Sequence, residues 1–409
     1  MFRHATRVGR ERRYPDRVNS ATAPRYRLNP MRPRDPGQPH RTASTLELFF
    51  DLVFVVAVSI ASAELHHALS HGDFVHGITS YAMVFFAVWW AWMNFTWFAT
   101  SFDTDDWLYR VTTIVQMGGV LVLAAGIPGA FDHGDFTIPV IGYIVMRLAM
   151  IAQWLRASRG AGELRAATRR YALGIAAVQV LWVLFLLVPS GPAQIAAFVV
   201  FAVIEMSVPV FAEYRKQTPW HPHHITERYG LFTLIVLGES LLASANAIID
   251  ARSDLESFVP LISISVLTLA VTAALWWIYF WAPHHRAITT FARSLRYGYS
   301  HYFVFAAAAA FSAGIEVELD VLTGESHLSN LAASFTVTVP IAIFLLGVWW
   351  IAIRDNADRV VNTVVPIGAV LVLLDAVLPI PVAISALVLV VIVVVLVRHP
   401  RWTRADRSP

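Results

Sequence analysis

The sequence predicts an all-α polytopic membrane protein of about twelve transmembrane helices, arranged as two parallel six-helix repeats. Three observations predict this class. The 409-residue chain is 57% hydrophobic and only 14% charged, whereas a soluble domain carries about a quarter charged residues. Its apolar residues fall into runs of about 20, the length that crosses a bilayer core. Short landmark sequences of the first half recur in the same order in the second half.

Hydropathy gives the bounds of the twelve predicted helices. They cover residues 46–69, 78–100, 110–129, 137–155, 171–189, 193–212, 228–249, 257–281, 298–315, 331–353, 360–378 and 382–398. The last two are separated only by Pro379-Ile380-Pro381, which we expect to form a tight turn because proline ends a helix.

The distribution of Lys and Arg predicts the orientation. With the N terminus inside, 29 of the 31 basic residues lie on the inner side, and the two exceptions are Arg147, within the fourth helix, and Arg252, in an outer loop. Positive charge is retained on the cytoplasmic side of membrane proteins, whereas the outer loop after the ninth helix is acidic, with Glu316, Glu318 and Asp320. The sequence therefore predicts a multi-pass protein of the bacterial cytoplasmic (inner) membrane, with both termini cytoplasmic.

The same pattern divides the chain and limits its partners. We expect a disordered basic tail at 1–45, six-helix membrane repeats at 46–212 and 213–398, and a second basic tail at 399–409. The expected partners are the lipid bilayer and a small solute or ion, and the arrangement of the charge argues against nucleic acid. The absence of cysteine excludes disulfides, thiolate metal sites and cysteine nucleophiles. The oligomeric state stays open.

The internal repeat is predicted from three pairs of landmarks. These are Glu47/Phe49 with Glu227/Tyr229, Ala87-Val88-Trp89-Trp90 with Ala274-Leu275-Trp276-Trp277, and Ala125-Gly126-Ile127 with Ala313-Gly314-Ile315, at offsets of 180, 187 and 188 residues. An even number of helices per half gives both halves the same orientation, as in many secondary transporters. On the first offset Asp51 aligns with Leu231, and Glu239 aligns with Ser59, so each half holds a carboxylate that the other lacks.

Six carboxylates fall within the predicted spans: Glu47, Asp51, Glu64, Glu205, Glu239 and Asp375. Glu239, at the centre of helix seven, is the most costly, since an ionised carboxylate there costs roughly 2.5–3.5 kcal/mol on insertion scales. It serves either proton or ion coupling or a structural role as an ion pair or hydrogen-bond anchor, and Arg147 is the expected partner of an ion pair. Glu47 suits a helix start, where acidic groups are favourable, with Ser44 or Thr45 as the cap. Asp51 lies a turn deeper, and both a functional and a capping role stay open. Glu64 and Asp375 are expected to reach interfacial water.

A histidine-rich segment precedes helix seven. His221, His223, His224 and Glu227 suggest a metal site, which His284 and His285 would complete, but the His-Glu-x-x-His order of a metalloprotease is absent. We therefore favour a pH-sensitive or structural role for these residues, with metal binding as the alternative, and we predict no cofactor. The tryptophans of helices two and eight are expected to anchor and pack those helices, with a stacking surface for a cation or sugar as the alternative.

Two long strings resemble a known family. Glu47-Leu-Phe-Phe-Asp-Leu-Val-Phe-Val and His224-Ile-Thr-Glu-Arg-Tyr-Gly-Leu-Phe-Thr-Leu-Ile-Val-Leu-Gly-Glu-Ser240 are similar to the two signatures of the bacterial low temperature requirement protein A (LtrA) family, and the resemblance covers about residues 43–395. The matching residues are Glu47, Phe50, Asp51, His224, Glu227, Arg228, Gly230, Gly238, Glu239 and Ser240. The departure at Tyr229 is conservative. The resemblance implies a multi-spanning inner-membrane protein, and the family has no settled activity.

The favoured function is a transporter or channel for an unidentified small solute or ion, with proton coupling as one variant. Its predicted charged elements are Asp51, Glu239, Arg147 and Glu47. No Walker motif, dinucleotide fingerprint or nucleophile elbow occurs in the sequence, so we do not expect nucleotide-driven transport or a soluble type of enzyme. The alternatives are a membrane-embedded enzyme acting on a lipid and a non-catalytic membrane organiser or sensor.

Overall fold

The described part of the chain is an all-helical bundle. The computed structural model describes residues 28–39, 41–251, 258–377 and 382–399, and no strand occurs in these ranges. The helices are α1 (Thr45–Ser70), α2 (Phe74–Phe102), α3 (Trp107–Ala125), α4 (Ile127–His133), α5 (Thr137–Gly160), α6 (Arg165–Phe185), α7 (Pro192–Glu213), α8 (Pro222–Ala251), α9 (Phe258–Trp281), α10 (Phe291–Thr323), α11 (Asn330–Val348), α12 (Arg359–Asp375) and α13 (Ala383–Arg398). A π-helical turn, Trp349–Ile353, extends α11.

Each of the twelve predicted spans coincides with one of these helices, and α4 is an additional short helix. Within the described ranges, nine helical segments are long and apolar enough to cross a membrane, which makes the chain a multi-pass membrane protein. Three of the predicted spans correspond to helices that are not among these nine. Helix α6 begins with several arginines, α12 has only 17 residues, and α13 has only 16. Twelve crossings therefore stay a prediction.

The helices pack in a similar order in the two halves of the chain. In the first half the neighbours are α1 with α2 and α3, α3 with α5, α5 with α6, and α6 with α7. In the second half they are α8 with α9 and α10, α10 with α11, α11 with α12, and α12 with α13. The halves meet where α1 and α2 contact α8 and α10. Helices α1 and α8, which carry the two signatures, therefore lie side by side at the centre.

The two landmark glycines lie at close helix approaches. A Cβ on Gly126 would stand 2.3 Å from the Pro139 ring, where α3 meets α5. A Cβ on Gly314 would stand 2.3 Å from the carbonyl oxygen of Thr336, where α10 meets α11. Neither position has room for a larger side chain, because real Cβ atoms do not approach heavy atoms so closely.

The predicted disorder of the tail at 1–45 does not extend to its described part. Met31 is only 1% exposed, and the guanidinium of Arg41 donates to the carbonyl oxygen of Ala99 at 2.9 Å. Burial lowers the pKa of Arg41, with Arg34 adding to the effect. The segment before α1 therefore packs on the end of α2 and fixes the start of α1. Residues 1–27 lie outside the described ranges.

Other sequence expectations need correction or lie outside the described residues. The predicted acidic loop of Glu316, Glu318 and Asp320 is helical, because α10 continues to Thr323 and ends only at Gly324, whose φ of +81° stops the helix. Outside the described residues lie the predicted turn of Pro379-Ile380-Pro381, Arg252, and most of the second basic tail, 400–409.

Candidate functional site: a buried charge cluster between α1 and α8

Four charged or titratable side chains meet where α1 packs on α8. Glu47 and Asp51 are each 1% exposed, and His224 and Arg228 are fully buried. Each pair is four residues apart on its helix, so both members of the pair face the same way. Together these four residues form what we name the charge cluster.

Arg228 is the centre of the charge cluster. Its Nε donates to Asp51 Oδ2 at 2.9 Å and its Nη2 to Asp51 Oδ1 at 2.6 Å, the two-pronged geometry that a guanidinium makes with a carboxylate. Its Nη1 lies 3.0 Å from Glu47 Oε1. His224 Nε2 lies 3.1 Å from the same Glu47 oxygen. Arg228 therefore bridges both carboxylates, and His224 contacts Glu47.

Neighbouring residues fix the two carboxylates in place. Trp92, fully buried on α2, donates its indole N–H to Asp51 Oδ1 at 2.7 Å. Ser44 caps α1: its backbone N–H donates to Glu47 Oε2 at 2.8 Å, and its hydroxyl accepts from the Glu47 backbone N–H. Glu47 is thus a capping residue, as predicted, and also a member of the charge cluster.

The charge balance of the charge cluster defines its chemistry. Within these four residues, two carboxylates and one guanidinium leave a net charge of −1 when His224 is neutral and zero with one more proton. The buried guanidinium of Arg41 lies close enough to interact with Glu47 and His224 and adds a positive charge beside them. An uncompensated charge in a membrane interior is costly, and such a group of coupled side chains takes up a proton as a unit. The arrangement is suited to binding and releasing one proton inside the protein.

The structure changes the predicted pairing of Arg147. Its Nη2 lies 2.8 Å from Glu205 Oε1, and both side chains are almost fully buried between α5 and α7. Tyr143 OH and Trp182 Nε1 complete this site by donating to Glu205 at 2.7 and 2.8 Å. Arg147 therefore does not pair with Glu239, because the carboxylate of Glu205 on the neighbouring helix already meets it.

Glu239 has a different partner across the interface of the halves. Ser59 Oγ on α1 donates to Glu239 Oε2 at 2.6 Å, and both residues are half-buried. Farther along α1, His66 Nε2 lies 2.7 Å from Asp320 Oδ2 on α10, and its Nδ1 lies 3.4 Å from Glu316 Oε2. These five residues form a second, partly exposed polar group, which we name the outer group.

A tightly packed apolar layer separates the charge cluster from the outer group. Phe232 lies one turn beyond Arg228 on α8, and its ring centroid is 4.9 Å from that of Phe305 on α10 and 4.5 Å from that of Trp92. Phe54 and Phe305 are fully buried as well. These buried rings lie between the two polar regions along α1 and α8.

The histidines of the proposed metal site point in different directions. His224 faces Glu47, whereas His223 stacks on His285 with 4.2 Å between ring centroids, and His221 Nε2 contacts the carbonyl oxygen of Gln38 at 3.1 Å. Glu227 accepts from the backbone N–H of Ala43 at 3.2 Å. In the ranges that the structure describes, no three His, Cys, Asp or Glu residues are arranged to hold a metal ion.

A cleft of about 390 Å³ lies beside these histidines, between the start of α8 and the loop after α9. Burial lowers the pKa of His284 in that loop to about 4, and burial also lowers the pKa of His285. His284 Nε2 donates to the carbonyl oxygen of Tyr279 at 2.8 Å, and its Nδ1 accepts from Tyr297 OH at 3.1 Å. Both histidines are therefore neutral at physiological pH, and His284 is part of the core.

The other signature residues have mainly packing roles. Phe50 packs on Phe95, with ring centroids 4.0 Å apart. Ser240 Oγ bonds Thr272 Oγ1 on α9 at 2.8 Å. A Cβ on Gly230 would meet the Phe280 ring at 3.0 Å.

One expectation for an individual residue needs correction, and one signature glycine has no packing role. A Cβ on Gly238 would have no heavy atom within 4 Å, so this glycine does not lie at a close helix approach in this conformation. Asp375 does not reach interfacial water: it is 2% exposed and accepts from the backbone N–H of Ser385 at 2.8 Å. Glu64, in contrast, is partly exposed.

Sequence reasoning identified the carboxylates and missed their partners. Arg228 was noted only as a signature residue. His224 was noted as a signature residue and a candidate metal ligand, and Trp92 belonged to the tryptophans expected to anchor, pack or stack. The sequence did contain a signal for this pairing, because Glu47 and Asp51 are four residues apart and His224 and Arg228 have the same spacing. Two acids and two bases at the same spacing, at corresponding ends of two apolar helices, are complementary in charge and in register.

The comparisons with known proteins agree with these signatures. Residues 42–398 match the family described as bacterial low temperature requirement A protein (LtrA). An uncharacterized protein of Rhizobium meliloti (strain 1021) is 30% identical over 256 residues, which are 60% of each chain; the chain thus spans about three fifths of that relative's length. No solved structure matches this chain. Because the family match covers most of its length, the chain belongs to the bacterial low temperature requirement A family.

Proposed function

We propose that this protein is a secondary transporter for a small solute or ion, and that the charge cluster couples transport to proton binding. The observation that carries the proposal is the buried contact of Glu47 and Asp51 with Arg228 and His224. The net charge of these four residues changes between −1 and zero with one proton, next to the fixed positive charge of Arg41. A buried group of this kind responds to one proton with a change in its charge, which suits a coupling role.

The position of the charge cluster supports a coupling role. Its members come from α1 and α8, helices that belong to different halves and that are in contact. A movement of one half relative to the other would change the distances within the charge cluster. Because the ion pairs are stable only when they are close and shielded, the protonation of the cluster and the arrangement of the halves must depend on each other.

The outer group supports a path along the same helices. Ser59, His66, Glu239, Glu316 and Asp320 give α1, α8 and α10 a series of partly exposed polar side chains on the far side of the aromatic layer. The aromatic layer lies between this group and the charge cluster. Polar regions on the two sides of an apolar layer are the arrangement that alternating access uses.

The two-repeat arrangement is part of this proposal. Ser59 and Glu239 are separated by 180 residues, the offset that relates Glu47 to Glu227, and they bond each other directly. Equivalent residues of two related units meet near the axis that relates the units. The landmark glycines also lie at corresponding contacts, α3 with α5 and α10 with α11.

The test is proton flux into proteoliposomes under an imposed membrane potential. We expect wild-type protein to carry a flux above that of empty liposomes, and His224→Gln to lose most of it, because glutamine keeps the size and hydrogen bonding of His224 and removes its titration. The control is His67→Gln, an exposed histidine of α1, which should retain the flux.

A second pair of variants tests the outer group. Glu239→Gln should reduce the flux, whereas Glu64→Gln, a partly exposed carboxylate of the same end of α1, should not. Equal flux in wild type, His224→Gln, Glu239→Gln and empty liposomes would contradict the proposal and leave both groups as structural contacts.

A further inference from the structure

A small cavity lies on the other side of α2 from the charge cluster. It has a volume of about 50 Å³ and lies between α2, α5, α6, α7, the segment before α8 and the start of α10. The space is sufficient for more than one water molecule, since one water needs roughly 10–15 Å³ on this measure. Its wall contains six large aromatic side chains and one carboxylate: Trp97, Trp154, Tyr171, Trp220, Phe291, Tyr299 and Glu213.

Glu213 is a buried acid without a basic partner in the part of the chain that the structure describes. It is 5% exposed, and its Oε1 accepts from Tyr171 OH at 2.8 Å and from the hydroxyl of Thr218. The neighbouring Arg170 does not pair with it. That guanidinium donates to the carbonyl oxygen of Ala212 at 3.1 Å and lies over the Tyr214 ring. No residue that lines the cavity is Lys, Arg or His.

The aromatic walls are fixed in position. Trp154 stacks on Tyr171 with 4.1 Å between centroids and an angle of 7°. Trp220 donates its indole N–H to the carbonyl oxygen of Ile288 at 3.3 Å, and Tyr299 donates its hydroxyl to that of Met206 at 2.7 Å. The rings therefore present preformed faces, and a ligand would not have to order them.

A carboxylate combined with several aromatic faces selects one class of ligand. Aromatic rings attract cations over their faces, and an acid that no base neutralises adds a counter-charge. An anion would meet the charge of Glu213, and a neutral apolar molecule would leave that acid without compensation. A strongly hydrated metal ion would find only one carboxylate among rings, which are poor ligands for it.

We propose that this cavity binds a small monovalent organic cation of the alkylammonium type, with Glu213 as its counter-ion and Trp97, Trp154 and Trp220 as its aromatic walls. The site is separate from the charge cluster. It would bind its ligand at equilibrium whether or not the protein transports that ligand, so the proposal does not depend on the proposed function.

The test is equilibrium dialysis of radiolabelled methylammonium against the purified full-length protein in detergent at pH 7.5, with unlabelled methylammonium as competitor. We expect saturable binding to the wild type and at least about tenfold weaker binding to Glu213→Gln, because the variant loses the counter-charge. The matched control is Glu163→Gln. Glu163 is an exposed carboxylate that pairs with Lys216 on the surface, and its variant should bind like the wild type.

A second variant covers the case in which Glu213→Gln does not fold. Trp220→Leu removes one half-buried ring, and we expect binding to weaken about threefold to thirtyfold, the range for loss of one cation–aromatic contact. Size-exclusion chromatography establishes which variants are folded. The proposal is overturned by the absence of saturable binding to the wild type. It is also overturned by equal affinities in the wild type and in the folded Glu213 or Trp220 variant.

Discussion

Replacing Arg228 by glutamine should destabilise the protein more than any replacement of a surface arginine. Arg228 is fully buried and has three nitrogen–oxygen contacts of 2.6 to 3.0 Å with Asp51 and Glu47. Without the guanidinium, Asp51 would lose both of its charged hydrogen bonds, and Glu47 would keep only His224 and the more distant Arg41 as basic neighbours. Removal of one partner from a buried ion pair costs about 3–5 kcal/mol.

The double variant tests the cause of that loss. Asp51→Asn combined with Arg228→Gln removes one negative and one positive charge, and it leaves the amide of residue 51 able to accept from Trp92. We expect it to be more stable than Arg228→Gln alone, because the remaining acid, Glu47, retains its contacts with Ser44 and His224. The coupling free energy between the two sites is the loss in the double variant minus the losses in Arg228→Gln and in Asp51→Asn, each measured singly.

The assay is thermal unfolding in one detergent, with the midpoint temperature as the readout. Arg296→Gln is the control, because Arg296 pairs with Asp355 at 3.0 Å on the surface, with side chains 27% and 43% exposed. Such pairs contribute about 0–1 kcal/mol, so its midpoint should stay near that of the wild type. If Arg228→Gln and Arg296→Gln unfold at the same temperature, the charge cluster does not hold α1 and α8 together.

Three further predictions concern other parts of the bundle. Arg147→Gln should lower the free energy of unfolding by about 3–5 kcal/mol, since it leaves Glu205 buried without its cation. The double variant Arg147→Gln/Glu205→Gln should regain part of this loss, and the midpoint of thermal unfolding measures both effects. Gly314→Leu should prevent the contact of α10 with α11, because even a Cβ would stand 2.3 Å from the Thr336 oxygen; loss of monodisperse protein in size-exclusion chromatography would report it, and a folded variant would contradict it. Burial lowers the pKa of His284 to about 4, whereas its pKa in the unfolded chain is about 6.5. Between these two values the unfolded chain binds a proton that the folded protein does not, so the free energy of unfolding falls by about 3 kcal/mol as the pH is lowered from 6.5 to 4. His284→Asn should therefore reduce the decrease of the unfolding midpoint between pH 7 and pH 4, and an unchanged decrease would refute the assignment.

Hydropathy was sufficient to find the helices, and it was weaker at their ends. The twelve predicted spans coincide with helices because a span needs about 20 apolar residues, which is a local property of the sequence. The end of α10 was placed too early, before Glu316. Charged residues end an apolar run but do not end a helix, and α10 continues until Gly324 adopts a left-handed conformation.

Pairing between helices was the part that the sequence could not supply. Arg147 was matched with Glu239 on depth alone, since both lie near the middle of a span. Depth does not determine which helices are neighbours, and α5 packs near α7 through Glu205, whereas Glu239 faces Ser59 on α1. The repeat offset of 180 residues was in fact the better guide, because it had already aligned Glu239 with Ser59.

The two signatures are separated by about 180 residues in the sequence and form a single site in the fold. Glu47 and Asp51 would be unfavourable in an isolated helix α1, because each is buried among apolar residues without a cation. Arg228 would be equally unfavourable in an isolated α8. Their contact compensates these charges, so the first signature accounts for the buried arginine of the second. The charges are compensated where α1 and α8 meet, and any movement between the halves would change the same contact. That double role is the physical reason to look for the function at this interface.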